Sequence, residues 1–278
     1  GNSRSGTTML GRILGRSNDV FMFNELHFFE QMWLPRIPPL EISSSEAVKY
    51  IARLMAVQRD GYYAKPDIGK YLSEAQAFVD ENPGKWTAPR AYAVFVLTEA
   101  RRHGKSIPCD QTPRNLFYLN EILELFPNAY AIHIIRDPRD VLLSQKNRWR
   151  RRQYSSQSFP IRESIRSWAN YHPISISILW KSGINAWEKV KNSSRVKLIR
   201  FEDLLGNPED VIRDVCEHVG IEYRQAFLEV PQIGSSHGYD DPTKFGINKS
   251  IAGRWQQAGK SDAADLAICQ SIANRCMR

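Results

Sequence analysis

An α/β fold, a doubly wound parallel sheet flanked by helices, is predicted for this chain by three observations. Strand-like and helix-like segments alternate along most of its length, with no internal repeat of fixed period. Residues 129–135, Ala-Tyr-Ala-Ile-His-Ile-Ile, form a continuous, mostly apolar run of the kind expected in a buried parallel strand. The chain opens on Gly1-Asn2-Ser3-Arg4-Ser5-Gly6-Thr7-Thr8, which has the outline of an anion-binding loop opening a helix. That loop makes the predicted fold P-loop-like.

The helix after the loop is supplied by residues 8–14, with Met9, Leu10, Ile13 and Leu14 on one face. The first N–H groups of a helix and the positive end of its dipole suit a phosphate or sulfate. Gly6 lets the backbone approach an anion closely, while Ser5, Thr7 and Thr8 add donors without bulk. A nucleoside-triphosphate loop reads G-x-x-x-x-G-K-[ST], and here Thr7 stands in the Lys position. The only cation is Arg4, inside the loop. A phosphate loop normally follows a buried strand, so a first strand is expected to precede residue 1.

Residues 19–23 read as a short strand running into Asn24-Glu25-Leu26-His27. Strand carboxyl ends face the ligand crevice in open α/β sheets. Residues 43–59 have helical spacing at Val48, Ile51, Ala52, Met55 and Ala56, with Ser43 to Ser45 as caps. A further helix spans about 90–102, and the block 35–105 is expected to be a helical insertion that selects a substrate. A short extension at 106–108 leads into Cys109-Asp110-Gln111-Thr112-Pro113 and a helix over 114–126. The apolar strand 129–135 ends at Arg136-Asp137-Pro138-Arg139-Asp140. A helix follows it toward Trp149, with Pro138 just inside its start. Residues 161–190 keep helical spacing despite Pro173. Another strand covers 196–201, a helix runs from Pro208 to about 219 before Gly220, and 232–250 reads as a mobile loop. A last helix over about 262–276 closes the chain.

Composition narrows the function. Hydrophobic residues make up 42% of the 278, enough for a real core. The formal charge of +8 and a pI near 9.3 point to anionic partners. Cys109, Cys216, Cys269 and Cys276 lack paired C-x-x-C spacing, so no zinc site is expected and buried free thiols are. No apolar run approaches the roughly 18 residues of a membrane span. No targeting segment is visible, and the cytoplasm is the expected compartment.

Four short motifs then occur in order. They are Arg4-Ser5-Gly6-Thr7-Thr8; Ile135-Arg136-Asp137-Pro138-Arg139-Asp140 with Ser144; Phe201-Glu202-Asp203-Leu204-Leu205; and Lys249-Ser250-Ile251-Ala252-Gly253-Arg254-Trp255. Together they span residues 4 to 255, so the likeness covers nearly the whole chain. In this order the motifs resemble the sulfotransferases that use 3′-phosphoadenosine 5′-phosphosulfate, with partial likeness to the protein-tyrosine and carbohydrate enzymes.

The resemblance implies transfer of a sulfuryl group from that donor to a hydroxyl acceptor, with no metal. It places the 5′-phosphosulfate on Ser5, Gly6, Thr7 and Thr8, and has Arg4 neutralise charge on the bridging oxygen as the sulfuryl group leaves. It puts Arg136 on the 3′-phosphate, with Ser144 eight residues later sharing it, and Lys249 and Arg254 folding over it. Arg148 matches a family arginine near the nucleotide. The adjoining run Trp149-Arg150-Arg151-Arg152 suits either an anionic contact or a solvated face. Glu202 and Asp203 are expected to brace the donor loop, and Trp255 to pack near the adenine.

In-line transfer requires a general base, for which Glu25, His27 and Glu30 are the candidates. The spacing from Arg4 favours Glu25, which matches the base of the tyrosine enzymes except that Asn24 precedes it. His27 competes, because other branches of the family use histidine. Where relatives often carry Lys before the Thr-Pro, this chain has Gln111, which can donate a hydrogen bond but no charge. The acceptor is left open as carbohydrate, phenol, tyrosine or lipid, and so is the oligomeric state. Two other readings fit less well. A kinase with a degenerate loop needs Mg²⁺ and a Lys near the phosphates. A nucleic-acid-binding protein would carry recognition motifs absent here, so no nucleic-acid partner is expected.

Overall fold

The computed structural model describes residues 1–62, 67–148, 161–232 and 241–276. The chain divides into two compact units, one made of Leu10–Ala129 and the other of Gly1–Met9 with Tyr130–Arg278. The first helix, α1 (Thr7–Leu14), carries residues of both.

The 10–129 unit is built on a parallel pair, β1 (Val20–Phe23) and β4 (Ile107–Asp110), in register from Val20↔Ile107 to Phe23↔Asp110. Between them in sequence come α2 (Phe28–Gln31), β2 (Glu41–Ile42), α3 (Ser44–Asp60), α4 (Leu72–Asp80), β3 (Trp86–Thr87) and α5 (Ala88–Arg102). Helix α3 starts where predicted because Ser43 and Glu46 form a reciprocal capping box. Its buried face includes Ile51, Leu54 and Met55, which pack with Phe28, Phe29, Phe78 and Phe95. Arg59 clamps the three long helices by pairing with Glu74 on α4 and with the buried Glu99 on α5. The predicted insertion is helical, except that β2 and β3 form a two-residue antiparallel pair inside it. The helix predicted over 114–126 begins as a 3₁₀ segment, Pro113–Tyr118, and becomes α6 only at Leu119–Leu125.

The other unit carries the second parallel pair, β5 (Ala131–Ile135) and β6 (Val196–Arg200), in register from Ala131↔Val196 to Ile135↔Arg200. Helix α7 (Pro138–Lys146) follows β5, capped by Asp137, whose carboxylate accepts from the Arg139 amide. It stops at Lys146, short of Trp149. Residues 161–190, read as one helical stretch, split at Pro173 into α8 (Ile161–Ala169) and α9 (Pro173–Glu188). Proline has no N–H to donate into a preceding turn but suits a first helical position, and Pro173 takes that place. After β6 come α10 (Phe201–Gly206) and α11 (Pro208–Val219), the latter ending on Gly220 at φ 73°. A hairpin-like pair, β7 (Pro231–Gln232) and β8 (Asp241–Phe245), lies in the predicted loop, and α12 (Ala263–Ala273) ends the unit. Val141 of α7, Trp180 and Ile184 of α9, and Ala273 of α12 share its core.

Candidate functional site

The opening loop is shaped by two residues in the left-handed region, Arg4 at φ 72° and Gly6 at φ 92°. Gly6 has a steric reason beyond its φ: a Cβ there would lie 2.4 Å from the ring of Phe201. The Ser5 amide closes a turn on the carbonyl of Asn2 (3.2 Å), and α1 begins at Thr7. Thr7 is half-buried and Thr8 exposed. Ser5 is fully buried, and its hydroxyl has no hydrogen-bond partner.

Strand β5 delivers Arg136 against this loop. One Arg136 nitrogen donates to the carbonyl of Arg4 (3.2 Å) and another to that of Ile251 (2.6 Å). Its guanidinium stands over the Phe201 ring at 4.7 Å and 3.5 Å from Asp140. Burial pulls the basicity of Arg136 down, while Asp140 and Glu202 act in the opposite sense. The Nε of Arg136 is buried without a partner. Buried donors are ordinarily satisfied, so the orphan guanidinium N–H and the orphan Ser5 hydroxyl are each open to an acceptor group.

Ser144 projects from the buried face of α7 and accepts from Arg4 Nε at 2.9 Å. Arg4 and Ser144, expected at opposite ends of a donor, therefore share a hydrogen bond. Arg254 lies near enough for its charge to oppose that of Arg136. The structure thus brings Arg4, Ser5, Arg136, Ser144 and Arg254 together. It does not bring Lys249 to them by any described contact; that ammonium is exposed and donates to the carbonyl of Gly206 (3.2 Å). Arg148 is half-buried just past the end of α7. Residues 149–152 lie outside the described residues.

Asp140 is the site residue that the motifs did not single out. Its fully buried carboxylate accepts from the amides of Gly253 (2.8 Å) and Trp255 (3.0 Å), so it pins the last motif to α7. The available signal was its place one helical turn after Arg136, on the same face. Arg139 adds to the clamp: Asp137 chelates its guanidinium, which lies 3.4 Å from the centre of the Trp255 ring. Trp255 therefore has a cation on its ring. Glu202 braces the start of α7 by accepting from the Asp137 amide (2.9 Å), rather than holding the 1–8 loop.

The residues expected to supply a base lie in the 10–129 unit. His27 caps the short α2 at φ 54° and donates its amide to Thr112 Oγ1 (3.3 Å). The Thr112 hydroxyl and amide in turn bind Asp110 at 2.6 and 2.9 Å. One imidazole nitrogen, Nδ1, meets Glu30, and the other, Nε2, stands 3.4 Å from Glu25. Tyr62 covers the ring at 4.1 Å. Glu30 is further bound by Arg114 (3.1 Å). Glu25 and His27, read as competitors, are thus neighbours. Asn24 is spent on Gln58, donating its backbone amide to the side-chain oxygen and its side-chain amide to the backbone carbonyl, both at 2.9 Å. The side-chain oxygen of Gln111, Oε1, is buried without a partner, 2.7 Å from where a Cβ on Gly11 would sit.

Among the described residues no group of three or more His, Cys, Asp or Glu is arranged to hold a metal ion. No described helix is long and apolar enough to cross a membrane.

The model of the Sulfotransferase family matches residues 1–225. The sulfotransferase domain of the curacin biosynthetic pathway superposes with a TM-score of 0.53 at 20% identity, covering 99% of this chain and 95% of its own. The sulfotransferase domain of the Synechococcus PCC 7002 olefin synthase gives 0.57 at 17% identity, covering 98% and 92%. At these identities the two structures speak for the fold. An uncharacterised protein of Aquifex aeolicus is 26% identical over 231 residues, 82% of this chain, but the match spans only 26% of that protein's length.

Proposed function

Because the chain belongs to the sulfotransferase family, we propose that it transfers a sulfuryl group from 3′-phosphoadenosine 5′-phosphosulfate to a hydroxyl-bearing acceptor. The observation that carries this donor is that two polar groups of the 1–9 and 130–278 unit, the Arg136 Nε and the Ser5 hydroxyl, are buried without partners, while Arg136 also donates to the carbonyl of Arg4. The buried Arg136 guanidinium lies within electrostatic reach of a second guanidinium, Arg254, with Asp140 and Glu202 acting on it as counter-charges. Guanidinium groups gathered at one place suit a donor that carries anionic groups.

In this reading Arg136, Ser144 and Arg254 hold the 3′-phosphate, with Lys249 and Arg148 assigned there by their motif positions. Ser5, Gly6, Thr7 and Thr8 cradle the 5′-phosphosulfate at the start of α1. Bound there, the donor supplies an activated sulfuryl group. Arg4 stabilises the charge left on the phosphate oxygen, and its tie to Ser144 couples the two ends of the donor. Glu25 or His27 removes the acceptor proton. Carbohydrate, phenol, tyrosine and lipid hydroxyls all satisfy this chemistry.

Titration calorimetry with adenosine 3′,5′-bisphosphate and with ATP tests the proposal. The bisphosphate is expected to bind at least about tenfold tighter, a difference of roughly 1.4 kcal/mol. Equal or tighter binding of ATP, with turnover dependent on Mg²⁺, would point to phosphoryl transfer instead.

A further inference from the structure

Within the sulfuryl-transfer reading, on which this inference rests, we propose that Glu25 and His27 act as one proton-accepting pair and that Glu30 is the positioning residue that sets it. The geometry of the 25–30 segment carries the argument. A neutral imidazole has one N–H and one lone pair, and an ionised carboxylate only accepts. His27 presents Nδ1 to Glu30 and Nε2 to Glu25. For both contacts to be attractive, one proton must lie on Nδ1 and another between Nε2 and Glu25. When that second proton is absent, a lone pair faces a carboxylate at 3.4 Å, an arrangement that a proton taken from an acceptor hydroxyl would complete.

The roles of the two glutamates differ by burial and partners. The Glu30 side chain is 12% exposed, and its second oxygen is held by Arg114 Nε at 3.1 Å, so both of its oxygens are occupied. The Glu25 side chain is 43% exposed, so it is the member that an acceptor hydroxyl can reach. Among the described residues, the charged and titratable groups around the ring include Glu25, Glu30 with its Arg114, Tyr62 across the ring face, and Asp110 acting through Thr112. His27 is held in the left-handed region at φ 54°, a conformation that costs on the order of 1–3 kcal/mol and persists only when neighbours enforce it. A histidine needed only to fill space requires neither this backbone nor two carboxylates.

The step balances without a further reagent. The acceptor O–H proton passes to the Glu25–His27 pair as the acceptor oxygen forms its bond to sulfur. The bond from sulfur to the bridging oxygen breaks, leaving its electron pair on the phosphate. The proton then leaves the pair to solvent, regenerating it.

Nitrogen-15 NMR of the His27 ring in the full chain, titrated in wild type, Glu25→Gln and Glu30→Gln, is the primary test. Wild type is expected to hold the Nδ1–H form and to titrate jointly with Glu25, with one coupled step lost in Glu25→Gln. Glu30→Gln should remove the Nδ1–H preference and move ring protonation to lower pH. Turnover with p-nitrophenol as the acceptor probe supplies the second readout. Glu25→Gln and His27→Gln should each lower kcat about 10²–10⁴-fold, and the double variant no further than the worse single. Glu30→Gln should shift the acid limb of the pH profile downward, and Glu30→Asp should restore most of it. Additive losses, or an acid limb and tautomer unmoved by Glu30→Gln, would overturn the inference. Calorimetry with adenosine 3′,5′-bisphosphate separates the two ideas. If the bisphosphate does not bind, the donor assignment fails while the ring titration still decides the pairing.

Discussion

Arg4 Nε donates to Ser144 Oγ at 2.9 Å, joining the first motif of the chain to a residue 140 positions later. One bond thus ties a residue proposed to act on the leaving phosphate to one proposed to hold the 3′-phosphate. A double-mutant cycle tests that link. Arg4→Ala and Ser144→Ala are each expected to weaken bisphosphate binding about tenfold, and the double variant by less than the product, with a coupling of about 0.5–3 kcal/mol. Strict additivity in calorimetry would show that the two residues work separately.

Arg136 has a structural duty as well as a ligand duty, since Asp140 is fully buried beside it. Arg136→Ala is expected to abolish measurable bisphosphate binding and to cost about 3–5 kcal/mol of stability by leaving a buried carboxylate without its cation. Arg136→Lys should recover most of the stability in urea denaturation but not the affinity, because an ammonium cannot reproduce the guanidinium fork. A full recovery of binding by Lys would contradict a role for the orphan Nε.

Asp140→Asn keeps the shape but loses the charge and half of the acceptor capacity that holds Gly253 and Trp255. Hydrogen exchange at those two amides should accelerate at least tenfold, and bisphosphate affinity should fall with Arg254 no longer held in place. Unchanged exchange would mean that 253–255 is fixed by other contacts.

His133 supplies the pH prediction. It is buried in β5, neither ring nitrogen has a partner, and burial pushes its pKa down to about 2 from 6.5. The folded state therefore keeps the imidazole neutral where the unfolded chain binds a proton. Stability from this group is fully present above pH 6.5. It falls by up to about 1.4 kcal/mol per pH unit below that, until the folded group itself titrates. His133→Leu should flatten this acid loss and add about 1–3 kcal/mol at neutral pH, read from urea midpoints between pH 7 and 4. An unchanged acid slope would reassign the loss to other groups.

Local chemistry was legible in the sequence wherever a residue acts on its own neighbours. Ser43 with Glu46, Asp137 with Pro138, and Gly220 each marked an element boundary that the backbone obeys. Pro173 was visible too, but helical spacing on both sides hid the break, because periodicity cannot register one missing N–H. The contacts that finish the site run across long separations. Asp140 reaches Gly253 and Trp255, and Gly6 is required by the ring of Phe201 as well as by the turn. No short pattern encodes such pairs. The proximity of Glu25 and His27 lay closer to the surface of the sequence. Two residues apart, they looked like alternatives until the left-handed turn at His27 put them side by side.

The left-handed backbone at Arg4 has a consequence for how the loop can be altered. A non-glycine residue at φ 72° carries roughly 1–2 kcal/mol that glycine would not. Replacing Arg4 with glycine would relieve that backbone cost while it removed the hydrogen bond to Ser144 and disabled the loop. At this position backbone ease and chemistry pull against each other: the conformation asks for glycine, and the contact to Ser144 asks for arginine.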